Sequence, residues 1–430
     1  MIRAVRSAKV LGQSQRAGFA SVATSAPSSS SVSKLDNGIK IATQGNNAPI
    51  ATLCVVAQAG SRFESKLGSS HFLKNFAFKN TTKRTGFRLT RESELQGASL
   101  AALSTRESII YSAQFFREDA PYFVEAFSDF LQNSKYADHE ADEVSQLVAL
   151  ESSLAPIETH VLNGLHREAF RTGLGNSTLA QNGVSTKDIR EYAARALAPN
   201  RLTFFGFNVD ASALNTLKSS FTSTSSSLKT EASKYYGGET RTSADAPVGH
   251  VAIGFEGASL GSDKEATLTV LRHILGGQSH LKWGSGASPV AKLVAGTSAQ
   301  ASAFNFSYSD AGLFGLYIAA PSAEITQLAN SSLAELRKTA SGLSAEELKR
   351  GIALARFEAL SSLESQYSKA VVFGTQVSLS GKMTEDAASR FSSVTENQVV
   401  EAAKKLLSGK PTVSTYGNLQ SLPYADQLKF

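Results

Sequence analysis

Apolar residues fall in short dense runs, and the runs recur in the same order. Residues 51–59 (ATLCVVAQA) form a β-rich apolar run that Gly60-Ser61 ends. A helical segment follows over 68–78, with Phe72, Leu73 and Phe76 on one face. Residues 109–116 (IIYSAQFF) give a second strand and lead into a helix over 121–131. A helix over 185–197 and a strand over 202–207 close this half. Farther on, a strand over 250–255 (HVAIGF) precedes a helix over 264–275, and a strand over 313–319 (LFGLYIA) precedes one over 322–337. A helix over 395–407 and a strand over 412–416 end the chain in the same way.

One pattern is thus written twice, with a period near ~200 residues. Strands alternate with helices, yet the early strands are spaced like neighbours in a meander. The pattern predicts an α+β chain of two homologous domains of similar fold, each a mostly antiparallel sheet packed with helices. The domains span 32–217 and 247–430. Between them, 218–246 is rich in Ser and Thr, carries Gly237-Gly238 and reads as a linker. Two such halves are expected to face each other across a cavity, the natural place for a site.

Composition narrows the chemistry. Of 430 residues 42% are hydrophobic, which excludes global disorder. The single cysteine, Cys54, excludes an internal disulfide framework, a cysteine-based zinc site and an iron–sulfur cluster; on its apolar strand it reads as a small core residue. No run approaches the ~18 apolar residues of a spanning helix, since even 50–59 is broken by Thr52 and Gln58. The first acidic residue is Asp36, preceded by Arg3, Arg6, Lys9, Arg16 and Lys34 among Ser, Ala and Val. That is the composition of a mitochondrial transit peptide, expected over 1–24. Without it the 43 Lys and Arg fall by four to 39 against 37 acidic residues, so the mature balance of +2 is no nucleic-acid footprint.

One segment has the frame of a metal site. On a helix over 68–78 (GSSHFLKNFAF), His71, Lys74 and Asn75 share a face at i, i+3 and i+4. Two imidazoles at i and i+4 with a Glu on the same face would chelate zinc and activate its water. Here an ammonium, Lys74, stands where the base carboxylate would be, and it repels a dication. Asn75 offers a neutral amide, a poor zinc ligand. Glu151, on a later helical stretch, is the one carboxylate placed to reach the same face, and an ion pair of Lys74 with Glu151 would replace metal ligation. His71 and Glu151 make two ligands where a catalytic zinc takes three.

The segment resembles the inverted zinc motif, His-x-x-Glu-His, of the pitrilysin/insulinase-type metallopeptidases. Their third ligand is a Glu some 76 residues beyond the second His, which here is the step from Asn75 to Glu151. A supporting carboxylate seven residues earlier falls on Val144. Flanking residues fit as well: Gly38, Ala59-Gly60-Ser61-Arg62, Phe78-Lys79-Asn80-Thr81, and the run from Leu165-His166 to Leu174-Gly175. The second half (FNFSYSDAGLFGLY over 304–317, HILGGQSHLKWGSG over 273–286, YGNLQSLPYADQL over 416–428) is similar to mitochondrial members that have lost peptidase activity.

The resemblance implies a structural and assembly subunit of the ubiquinol–cytochrome c reductase of the respiratory chain, on the matrix side of the inner membrane. Implied partners are a related core protein 1, cytochrome b, cytochrome c1 and the Rieske subunit, as a dimeric complex. The redox centres lie in the cytochrome and Rieske subunits, and no cofactor, catalytic residue or metal is expected in this chain. The alternative within the family is the non-catalytic subunit of the mitochondrial processing peptidase, which carries a long glycine-rich loop; the nearest segment here is 276–286, short and interrupted. A zinc peptidase with unusual ligands is opposed by Lys74.

Overall fold

The computed structural model describes residues 29–46, 48–180, 183–221, 228, 231–277 and 286–430. The expected transit peptide, 1–24, and most of the glycine segment, 276–286, lie outside the described residues. In the first half the strands are β1 (Ser29–Lys34), β2 (Lys40–Gly45), β3 (Ile50–Ala57), β4 (Ser99–Ser104), β5 (Ile109–Phe116) and β6 (Leu202–Phe207). Its helices are α1 (Ser69–Asn75), α2 (Gly86–Leu95), α3 (Ala120–Asn133), α4 (Asp138–Leu154), α5 (Ile157–Phe170), α6 (Thr186–Ala196), α7 (Ala211–Asn215) and α8 (Leu217–Ser220). The second half has strands β7 (Gly238–Ser243), β8 (Val248–Glu256), β9 (Gln300–Ser307), β10 (Gly312–Pro321) and β11 (Thr412–Gly417). Its helices are α9 (Asp263–Leu275), α10 (Pro289–Leu293), α11 (Ile325–Ser341), α12 (Ala345–Ser361), α13 (Gln366–Ser380) and α14 (Glu396–Ser408).

The two sheets share one topology. The first runs β1-β2-β6-β3-β5-β4 and the second β7-β11-β8-β10-β9. Strand for strand, β2-β6-β3-β5-β4 matches β7-β11-β8-β10-β9, with β1 as an extra edge. In each sheet the closing strand pairs parallel with its outer neighbour, β6 with β2 and β11 with β7. The other pairings are antiparallel. Helix starts repeat too: α6 and α14 open on capping boxes, Ser185 with Asp188 and Thr395 with Gln398.

The central strands carry apolar residues on both faces because both faces are covered. From Ala51 to Ala57, β3 is buried throughout, and β6 is buried along its length. On one face of each sheet lies the half's own core, with Phe72, Phe123, Phe127 and Tyr192 in the first and Leu271, Ile274, Leu333 and Leu336 in the second. The other face is covered by a helix from the opposite half. Helix α13 lies across β3 and β6, setting Ala370, Phe373 and Val377 against Cys54, Val56, Phe205 and Phe207. Helix α5 lies across β8 and β11, setting Val161, Leu165 and Ala169 against Ala252 of β8 and Leu313 and Tyr317 of the adjoining β10. The two halves therefore exchange helices reciprocally. Lys40 fixes one crossing by donating to the last-turn carbonyls of α13 at Ser378 (2.6 Å) and Val377 (3.4 Å).

Each exchanged helix has a glycine where it crosses the foreign sheet. A Cβ on Gly374 of α13 would stand 3.1 Å from Val56 Cγ2 and 3.4 Å from Cys54 Sγ. On Gly164 of α5 it would stand 2.7 Å from Ser414 Oγ.

Several elements depart from the sequence pattern. The motif helix is seven residues long rather than eleven, and Phe78, with φ of 62°, turns the chain back into the core. The 218–246 segment, read as a linker, begins on α8 and ends in β7, a sheet edge. Its polar Thr240 and Thr242 suit an exposed edge, and Arg241 donates to the carbonyls of Leu419 and Leu422. Strand β4 carries mostly small and polar residues, and in β9 Phe304 and Phe306 stand among Gln, Ala, Ser and Asn, so neither forms the dense apolar run of a central strand.

Candidate functional site

The geometry of α1 is set before the helix begins. Gly68 adopts φ of +92°, and a Cβ there would meet the Ala180 Cβ at 2.7 Å, so the segment before the helix can lie close to Ala180 only as glycine. The Glu64 carboxylate accepts from the backbone N–H groups of Gly68 (2.8 Å) and Ser70 (2.7 Å). Burial pushes its pKa up to about 7, against the pull of those hydrogen bonds. Phe72, Leu73 and Phe76 fill the core as the pattern predicts. The opposite constraint falls on α4, where Val144 is 1% exposed within the same core. The position of a supporting carboxylate is thus an apolar packing position.

The four expected residues meet at Glu151. Lys74 Nζ donates to both carboxylate oxygens at 2.8 Å. His71 Nε2 lies 2.7 Å from Oε2, and Asn75 Nδ2 donates to the same oxygen at 2.9 Å. The Ala180 backbone N–H donates to His71 Nδ1 at 3.1 Å. That bond puts the imidazole proton on Nε2, so His71 is a donor toward Glu151. Burial lowers the His71 pKa below its ordinary value, with Lys74 adding to the effect. Burial opposes ionisation of Glu151 too, but the donors Lys74, Asn75 and His71 win and hold its carboxyl at about 2.

A zinc ion does not fit this donor set. Both oxygens of Glu151 already accept from Lys74, Asn75 turns its N–H toward the centre, and the His71 nitrogen that faces the centre carries a proton. The ammonium of Lys74 takes the place of the dication as the countercharge. Among the described residues no group of three or more His, Cys, Asp and Glu stands together to hold a metal. The sequence pattern named all four members of this cluster. It missed the Ala180 N–H, because a backbone donor carries no residue signature, and the Glu64 carboxylate, which stands ahead of the helical segment; Gly68 immediately before Ser69, the first residue of α1, is the one local cue.

The cluster carries a pH signature. An unfolded Glu titrates near ~4.3, so the lowered folded value gives stability that is complete above about pH 4.5 and is lost as pH falls toward 2. A third of the Glu151 side chain is exposed, and after allowance for screening the contribution is about 1–2 kcal/mol. We expect Glu151→Gln to lower stability by that amount at pH 7, the gap to shrink to about half at pH 3, and to close only below about pH 2. Urea unfolding at both pH values checks this; a gap of constant size would remove Glu151 from the acid limb.

The family profile for insulinase (peptidase family M16) matches residues 40–182, and the profile for the peptidase M16 inactive domain matches residues 183–354. A protein of Cryptococcus neoformans named cytochrome b-c1 complex subunit 2, mitochondrial, is 38% identical over 91% of this chain and 93% of its own length. The protein of the same name from Neurospora crassa is 36% identical over 96% of this chain and 93% of its own. A potato protein (Solanum tuberosum) named mitochondrial-processing peptidase subunit alpha is 27% identical over 93% of this chain and 84% of its own. Matches across both halves, on a twice-written fold with the frame of an inverted zinc motif, place this chain in the insulinase-type M16 peptidase family.

Proposed function

We propose that this chain is a non-catalytic structural and assembly subunit of mitochondrial ubiquinol–cytochrome c reductase (complex III), held on the matrix side of the inner membrane. One observation carries the non-catalytic part: Lys74 occupies both oxygens of the carboxylate that would otherwise be a metal ligand. The names of its full-length relatives support membership of the complex. Among the described residues no helix is long and apolar enough to cross a membrane, which suits a subunit anchored through partners. Those partners are core protein 1, which shares the matrix-side body, and cytochrome b, cytochrome c1 and the Rieske subunit, which carry the redox centres. Permanent hetero-complexes of this kind bury roughly 2,000–5,000 Å², so the chain's contribution is interface.

Native purification from mitochondrial membranes tests the proposal. The chain is expected to migrate with haem absorbance through detergent gel filtration and to be lost from that peak only on denaturation. Migration with a soluble, metal-dependent activity that cleaves presequences would instead assign it to the processing peptidase, the reading that the potato relative represents.

A further inference from the structure

Two hairpin tips from opposite halves of the chain meet around one buried guanidinium. The tip between β4 and β5 carries Arg106 and Glu107; the tip between β9 and β10 carries Tyr308, Ser309 and Asp310. Arg62, in the turn after β3, sits between them with 2% of its side chain exposed. Its Nη1 donates to Glu107 Oε1 (2.7 Å), Asp310 Oδ1 (2.8 Å) and Ser309 Oγ (3.0 Å). Its Nη2 donates to Asp310 Oδ2 (2.6 Å) and to the Glu231 carbonyl (3.0 Å). The tips also bond directly, Ser309 N–H to Glu107 Oε2 at 3.0 Å and Ser309 Oγ to Oε1 at 2.5 Å. Asp310 in turn accepts from the backbone N–H of Ser233, in the segment that joins the halves, at 2.8 Å.

We propose that Arg62 is the keystone of a latch that holds the two halves closed as a single body. The fork of a guanidinium matches the Asp310 carboxylate in two parallel bonds while leaving donors for Glu107. A lysine has no such fork, and an apolar side chain leaves two carboxylates facing each other. Removing one partner of a buried pair strands the other charge, and the cheapest relief is hydration through separation of the tips. Neighbouring groups close off the alternative of local rearrangement. Arg106 is spent on the carbonyls of Leu174 and Asn176 and on Asn163 Oδ1. A Cβ on Gly60 would stand 2.4 Å from the Arg106 carbonyl, so Arg62 is delivered by backbone that lies directly against the first tip. This latch is independent of the role in a respiratory complex: it concerns how one chain holds itself together.

The molecule contains its own reporter. Cys54 is fully buried under α13, a helix of the other half, and burial pushes its thiol pKa up to about 12. Separation of the halves lifts α13 and uncovers the thiol. In the full chain purified natively, Arg62→Met is expected to raise the rate of Cys54 alkylation about tenfold or more, since exchange through sub-global opening tracks the open population. Peptide-resolved hydrogen exchange is expected to rise at both hairpin tips together. A Cys54 rate within about twofold of the parent, or a rise confined to one tip, overturns the latch. If Arg62→Met fails to accumulate, Asp310→Asn takes its place: Asp310 is 30% exposed, so its loss is milder. A smaller rise at the same sites supports the latch, and unchanged sites overturn it.

Discussion

Gly374→Leu unseats α13 from the first sheet, whereas Gly374→Ala leaves the fold close to its parent stability. A single methyl at this position meets Val56 Cγ2 at 3.1 Å and Cys54 Sγ at 3.4 Å. Those contacts are tight but yield with a few tenths of an ångström of movement. The alanine also gains helix propensity, about 1 kcal/mol over glycine, and the two effects nearly cancel. Leucine adds three more carbons aimed into β3 and β6, both buried on this face. Overpacking of this kind costs about 3 kcal/mol; helix propensity returns about 0.8 kcal/mol, leaving a net loss of about 2 kcal/mol. The midpoint of urea unfolding should fall accordingly for leucine alone, and Cys54 alkylation should accelerate with it. A leucine variant with the parent midpoint and a silent Cys54 would show that α13 does not need the close crossing that Gly374 provides. The matching glycine of α5, Gly164, is the internal control, because its Cβ would meet Ser414 Oγ at 2.7 Å on the other sheet.

The second large effect is a gain. Lys74→Glu combined with Asn75→His writes His-x-x-Glu-His onto α1 while leaving Glu151 in reach of the same face. In the parent, Glu151 already lies 2.7 Å from His71 and 2.9 Å from Asn75, so two imidazoles and a carboxylate would converge without movement of the backbone. Removing the ammonium frees both oxygens of Glu151. For His71 to ligate through the nitrogen that faces the centre, its proton must move to Nδ1, so zinc binding costs the hydrogen bond that Nδ1 accepts from the Ala180 N–H at 3.1 Å in the parent. The double variant is expected to bind one zinc ion per chain at micromolar or tighter affinity, from no measurable binding in the parent, by calorimetry or competition with a chromogenic chelator. Lys74→Glu alone should bind weakly, having two firm ligands besides the new carboxylate. Failure of the double variant to bind would mean that Val144, apolar and buried where a supporting carboxylate would stand, limits the site more than Lys74 does.

The periodic apolar runs made the repeated order of strands and helices readable, because central strands covered on both faces read as unbroken apolar segments. The strands at 109–116 and 202–207 match β5 and β6 to the residue. The reason those runs are apolar on both faces was not readable. It lies in α13 and α5, each of which packs on a sheet far from it in sequence, and long-range pairing leaves no local mark. Edge strands β4, β7 and β9 were missed for the opposite reason: an edge is polar on one side and resembles a loop. Of the candidate site, His71, Lys74, Asn75 and Glu151 followed from helical spacing and the family frame. The Arg62 latch did not, since Glu107 and Asp310 stand 45 and 248 residues away.

Lys74, on both oxygens of Glu151, serves this site as the countercharge in place of a metal ion. Equilibrating the natively purified chain with excess zinc, desalting it and measuring the metal content tests this directly. No zinc is expected to be retained, and replacing His71 or Glu151 is expected to change nothing. About one zinc per chain, lost with His71→Ala and with Glu151→Ala, would contradict it.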